Sequence, residues 1–84
     1  MTESVTDLTV REISRAAERV LGHAVNMSGD TDLARDLAVD SLTLMNIVME
    51  LEDTFDLSIP LDRLALVQTV GDLSALVSDL RMKA

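Results

Sequence analysis

Apolar residues recur at three- and four-residue spacing in several stretches of this chain, and no stretch shows the period-two alternation of a half-buried strand. Over residues 5–21, Ile13, Ala16, Ala17, Val20 and Leu21 share one face, while Arg11, Glu12, Arg15, Glu18 and Arg19 point away from it. This spacing predicts a first amphipathic helix. Two capping boxes compete for its start, Ser4 with Asp7 and Thr9 with Glu12, and Gly22 supplies the stop. Residues 41–55 predict a second helix with Thr43, Asn46, Glu50, Asp53 and Thr54 on its polar arc. Its apolar arc is wider than the stripe of about 100° usual on a surface helix. Packing against several neighbours accounts for most of that width. Met45 and Met49, soft side chains suited to surfaces that meet several partners, are expected to remain exposed.

Pro60 is placed to open a short helix over 61–66. Thr69 and Asp72 form a capping box for a last helix over 70–82, whose core stripe is Val70, Leu73, Leu76, Val77 and Leu80. Arg81 and Lys83 complement its C-terminal dipole. Between the first two helices, residues 23–39 read as a long connection with turn chemistry at Asn26, Ser28, Gly29 and Asp30. Met27, Leu33 and Leu37 are spaced to anchor it. The expected architecture is all-α: a small four-helix bundle of three long helices and a short third one, in one domain spanning 1–84.

Composition narrows what such a bundle can do. With 84 residues the chain supports a modest core, and with no cysteine it has neither disulfides nor thiolate chemistry of its own. That composition fits a reducing compartment, and a cytoplasmic location is expected. No signal peptide and no membrane span are expected, because the start is polar and no apolar run is long enough. A formal net charge of -8 and a single aromatic, Phe55, argue against nucleic acid as a partner. The charge is also concentrated. Between Asp30 and Asp62 nine acids face one base, Arg35, so this segment carries the whole net charge while the flanks cancel. A face of that sign steers encounter with basic surfaces.

Candidate chemistry lies inside the acidic segment. Asp40 reads as the N-cap of the second helix, its carboxylate placed to accept orphan amide protons. Ser41 then falls in the first turn, where free amides and the helix dipole favour an attached phosphate. With no base beside it, the hydroxyl is better placed to be modified than to attack. The Asp30-x-Asp32-x-x-x-Asp36 pattern fails as a calcium loop: Ala34 stands at a ligand position, Arg35 at the glycine and Ser41 at the closing glutamate. No metal site is expected. His23, the only histidine, reads as a loop residue, and no enzyme chemistry is expected.

Asp40-Ser41-Leu42, followed by Leu51-Glu52-Asp53-Thr54-Phe55-Asp56 and Ile59-Pro60, resembles the acyl carrier proteins over about residues 8–80. The resemblance implies a 4'-phosphopantetheine arm moved from coenzyme A to Ser41 by a phosphopantetheinyl transferase, with Asp40 and Leu42 flanking the attachment. Leu42 would anchor the corner. An acyl cargo would ride as a thioester on the arm's thiol and shelter among Val48, Leu51, Ile59, Leu64 and Val67. Thr43, Met45, Asn46, Met49, Glu52, Asp53 and Asp56 would meet acyl-transferring, condensing or ligase enzymes through basic or apolar patches. The carrier itself is expected to be a monomer.

The chain departs from the family pattern in three places. Ala38 stands where the family usually has glycine, so the backbone there must accommodate a Cβ. Thr43 and Asn46 replace customary acids, and Leu61, Arg63 and Ala65 replace a more acidic run. These departures point to a specialised fatty-acid, polyketide, secondary-metabolite or lipid-modifying pathway rather than central fatty-acid synthesis. Two alternatives stay open. One is a peptidyl or aminoacyl carrier, against which Asp40 argues; the other is an unmodified acidic interaction module.

Overall fold

The computed structural model describes residues 5–83. It contains α1 (Val5–Leu21), α2 (Leu33–Leu37), α3 (Ser41–Phe55), α4 (Leu61–Leu64) and α5 (Val70–Lys83). The three long helices agree with the spacing of apolar residues. α1 lies along both α3 and α5, burying Ile13, Ala16 and Ala17 between Ile47 and Leu51 of α3 and Val70, Leu73 and Val77 of α5. The two alanines let these backbones approach closely, and removal of the larger side chains from water supplies the driving force. α4 packs on α5 through the buried Leu64.

The helix ends follow the sequence with one exception. Gly22 adopts φ 81° and its N–H donates to the Glu18 carbonyl at 2.9 Å, as a C-terminal stop requires. Thr69 Oγ1 accepts from the Asp72 N–H at 3.0 Å, and Asp72 Oδ2 accepts from the Thr69 N–H at 3.1 Å, closing the capping box of α5. The Thr9–Glu12 box, by contrast, does not start a helix. Thr9 is fully buried inside α1, its Oγ1 3.3 Å from Ser78 Oγ of α5. Its competitor, the Ser4–Asp7 box, rests on Ser4, which lies outside the described residues.

The connection expected over 23–39 is only partly a loop, because it contains α2. Asp32 is the N-cap: its Oδ1 accepts from the Arg35 N–H at 2.8 Å, while Asp36 Oδ2 reaches back to accept from the Asp32 N–H at 2.8 Å. The aspartate spacing that resembles a calcium loop is therefore a reciprocal helix cap. α4 is also shorter than the expected 61–66. Leu66 and Val67 donate N–H bonds to the Arg63 and Leu64 carbonyls at 3.1 and 3.0 Å, tightening the chain into a turn, and Leu66 is left 80 % exposed.

The long connection is strapped to the segment that leads into α5. The Leu33 N–H donates to the Gln68 carbonyl at 3.0 Å, Val70 to Thr31 at 2.9 Å, and Gly71 to Gly29 at 2.8 Å, around an antiparallel bridge between Asp32 and Thr69. Gly71 must be glycine for this approach, since a Cβ built there would stand 2.7 Å from the Gly29 carbonyl oxygen. Gly71→Ala gains up to about 1 kcal/mol in helix propensity but loses more to the clash. The expected net destabilisation is about 1–2 kcal/mol, read as a lower urea midpoint.

Candidate functional site

The corner ahead of α3 is built one residue at a time. Ala38 ends α2 in the left-handed region at φ 55°, ψ 35°, turning the chain sharply. Val39 is then buried, and its N–H donates to the Leu33 carbonyl at 2.9 Å. Asp40 is extended, and its Oδ1 accepts from the Thr43 N–H at 2.8 Å. Ser41 follows as the first residue of α3, exposed. The N-cap role expected of Asp40 is thus present in the geometry. The Thr43 amide proton bound to its carboxylate is the main cause holding the Asp40 pKa below the ordinary carboxylate value.

Leu42 does not anchor this corner. It is 72 % exposed, because its place on α3 points away from α1 and the core; Val39 is the side chain that ties the corner down. Leu42 instead opens an exposed row with Met45 and Met49, at i, i+3 and i+7, with Met45 36 % and Met49 62 % exposed. Asn46 and Asp53 are exposed along the same helix, and Thr43 is half-buried. Asp56 sits in the left-handed conformation at the end of α3, φ 53°. Glu52 has a structural task as well, its Oε2 accepting from the Ile59 N–H at 2.8 Å and so holding the turn into α4.

Ser41 stands on the rim of an open groove of about 690 Å³. Leu33, Val39, Leu44, Leu64 and Val67 supply its apolar lining, with Asp32, Arg35, Asp40 and Gln68 as polar neighbours. Of the side chains expected to shelter a cargo, Leu64 and Val67 reach this groove. Val48, Leu51 and Ile59 do not; they are closed into the core. The sequence reading missed Leu33, Val39 and Leu44 as lining residues. Val39 and Leu44 stand only two and three positions from Ser41, and that proximity was the available signal.

These surroundings suit modification of a serine. The hydroxyl is exposed at the start of a 15-residue helix, beside an apolar groove. Among the described residues no His/Cys/Asp/Glu cluster fit for a metal is found. His23 is exposed on its loop, its Nδ1 3.1 Å from the Ala24 carbonyl.

A family model described as a phosphopantetheine attachment site matches residues 11–77. The chain belongs to the acyl carrier protein family. It is 65 % identical to a probable acyl carrier protein of Caulobacter vibrioides over 82 residues, which cover 98 % of this chain and 95 % of the relative. An acyl carrier protein of Rhodococcus erythropolis is 31 % identical over 72 residues, 84 % of this chain and 79 % of the relative. The solution structure of holo acyl carrier protein from Geobacter metallireducens superposes with a TM-score of 0.78 at 25 % identity, covering 89 % of this chain and 87 % of that one. Members of the family are carriers rather than catalysts, and their cofactor is 4'-phosphopantetheine. That group supplies a terminal thiol on which an acyl chain is held as a thioester. The cysteine-free acyl carrier chain has no such thiol of its own. In this carrier, the exposed hydroxyl and the adjoining apolar groove fit an arm that is polar where it joins the protein and carries an apolar load.

Two expectations follow for this corner. Ala38→Gly relieves the left-handed strain at some cost in unfolded-state entropy, and should stabilise the carrier by about 0.5–1 kcal/mol in urea melts. Asp40→Asn keeps a side-chain oxygen for the cap but removes the charge. Because the folded-state pKa of Asp40 is depressed, its charge contributes stability above the unfolded pKa and loses it as pH falls through the folded one. The wild type should therefore exceed Asp40→Asn in urea midpoint near neutral pH, and the two should converge in acid.

Proposed function

We propose that Ser41 is the residue that carries the phosphopantetheine arm, and that this protein delivers acyl intermediates to the enzymes of a specialised pathway. One observation carries the attachment: the exposed hydroxyl of Ser41 opens α3 on the rim of an apolar groove. Asp40 holds the first turn in shape and Val39 pins the corner, so a transferase meets a preformed hydroxyl. A short cargo lies along Leu64 and Val67. A longer one parts these two side chains to reach Val48, Leu51 and Ile59, each sheltered methylene contributing up to about 0.8 kcal/mol.

The docking face is the exposed row Leu42, Met45 and Met49 with Thr43, Asn46, Glu52, Asp53 and Asp56 around it. Its apolar character supports the specialised reading. Leu61 is 64 % exposed nearby, and Arg63 is taken up by Asp79 at 3.0 Å. Partners with mixed apolar and basic patches suit this face better than strongly basic ones. A reducing cytoplasmic setting keeps the arm's thiol free.

Intact-mass measurement after incubation with coenzyme A and a phosphopantetheinyl transferase tests the attachment. Wild type should gain one arm and Ser41→Ala none, with unchanged helical circular dichroism. Equal gain by both proteins would sink the assignment.

A further inference from the structure

Arg35 is the one base in the acidic segment from Asp30 to Asp62, and it lines the same groove as Ser41. Other arginines are committed elsewhere. Arg19 pairs with Glu50 at 3.3 Å, Arg63 with Asp79 at 3.0 Å, and Arg81 lies 4.6 Å from the centre of the Phe55 ring. The guanidinium of Arg35 is exposed and forms no ion pair among the described residues. Its nearest acids in sequence are occupied by the backbone: Asp32 Oδ1 by the Arg35 amide and Asp36 Oδ2 by the Asp32 amide. A free arginine thus faces the groove whose rim holds the modified hydroxyl.

We propose that Arg35 binds the phosphodiester that joins Ser41 to its arm, and so directs the arm along the groove between α2 and α4. The inference rests on Ser41 being the attachment residue. A phosphodiester carries a full negative charge, and guanidinium presents paired N–H donors that match two phosphate oxygens. In a segment otherwise lined with carboxylates, the phosphodiester is repelled on most sides and attracted on this one. Gln68, in the same lining, adds a neutral amide donor. Held toward α2, the first part of the arm lies over Leu33, Val39 and Leu64, where the apolar lining begins. The pair is solvent-exposed, so salt weakens it: screening length falls from about 10 Å at 0.1 M to about 3 Å at 1 M.

The test uses apo and holo full-length protein, with loading confirmed by intact mass, and the variants Arg35→Ala, Arg35→Lys and Arg35→Glu. In wild type, loading should shift the Arg35 Nε–Hε signal and the amides of residues 33–39 and 64–68. The phosphorus resonance of the arm should move on substitution, most in Arg35→Glu, less in Arg35→Ala, least in Arg35→Lys. High salt should bring the wild-type spectra toward those of Arg35→Ala. A general loss of structure would instead alter the apo amides throughout the bundle. If Ser41 carries the arm but the Arg35 Nε–Hε signal is the same in apo and holo protein, or the phosphorus resonance ignores all three variants, the contact is refuted alone. If no arm is found on Ser41, this proposal and the attachment reading fail together.

Discussion

The backbone pairing between residues 29–33 and 68–71 is the constraint on which the rest of the carrier depends. Between residues 23 and 39 only Leu33 and Val39 are buried, so much of the connection is left to be held by other means. Three main-chain hydrogen bonds fasten it to the segment entering α5, which is itself fixed by buried Val70 and Leu73. Once Leu33 is held by the Gln68 carbonyl, α2 has a defined start, and its end at Ala38 sets the direction in which Asp40 and Ser41 leave. The groove is a result of the same strap. Its floor comes from Leu33 on one side of the pairing and Val67 on the other.

Much of the acidity that dominates the charge balance is put to use within the fold. Glu18 accepts from the Val25 N–H, Asp32 and Asp36 cap α2, Asp40 caps α3, Glu52 holds Ile59, and Asp72 takes the amides of Gln68 and Thr69. Buried or half-exposed amides need acceptors wherever helices begin or turns tighten, and carboxylates fill that need more strongly than neutral groups. The carboxylates of this chain are therefore also the means by which short elements are held in place. Asp72 shows the same downward pKa displacement as Asp40, for the same reason of donated backbone N–H bonds.

What could be read from the sequence divides along physical lines. The long helices were legible because burial imposes a period over many residues, as with Ile13, Ala16, Ala17 and Val20. The Thr69–Asp72 box and Gly22 were legible because capping is local chemistry. α2 was not, since five residues give no period and its aspartates admit two readings. That Leu42 does not anchor the corner was not legible, because α3 is apolar on more than half its circumference and the placement of α1 decides which part of that arc is covered. The groove was partly legible. Leu64 and Val67 were expected beside the cargo, but Leu33, on the far side of Ala38, shares the groove with Ser41 only through the left-handed turn there, and alanine is a residue type that does not announce such a turn.

α4 has a consequence for local stability. It has four residues and a single buried side chain, Leu64, whereas α1, α3 and α5 share an interdigitated core. The free energy needed to open a segment scales with what it buries, so α4 belongs at the low end of the range within this molecule. Leu64 and Val67 also line the groove that Ser41 borders, whereas Val48, Leu51 and Ile59 are closed into the core. The α4 side of the groove therefore rests on less burial than the three long helices do. Opening α4 alone costs less than unfolding the three packed helices, so the shape of the groove is set by a local equilibrium rather than by the stability of the whole fold.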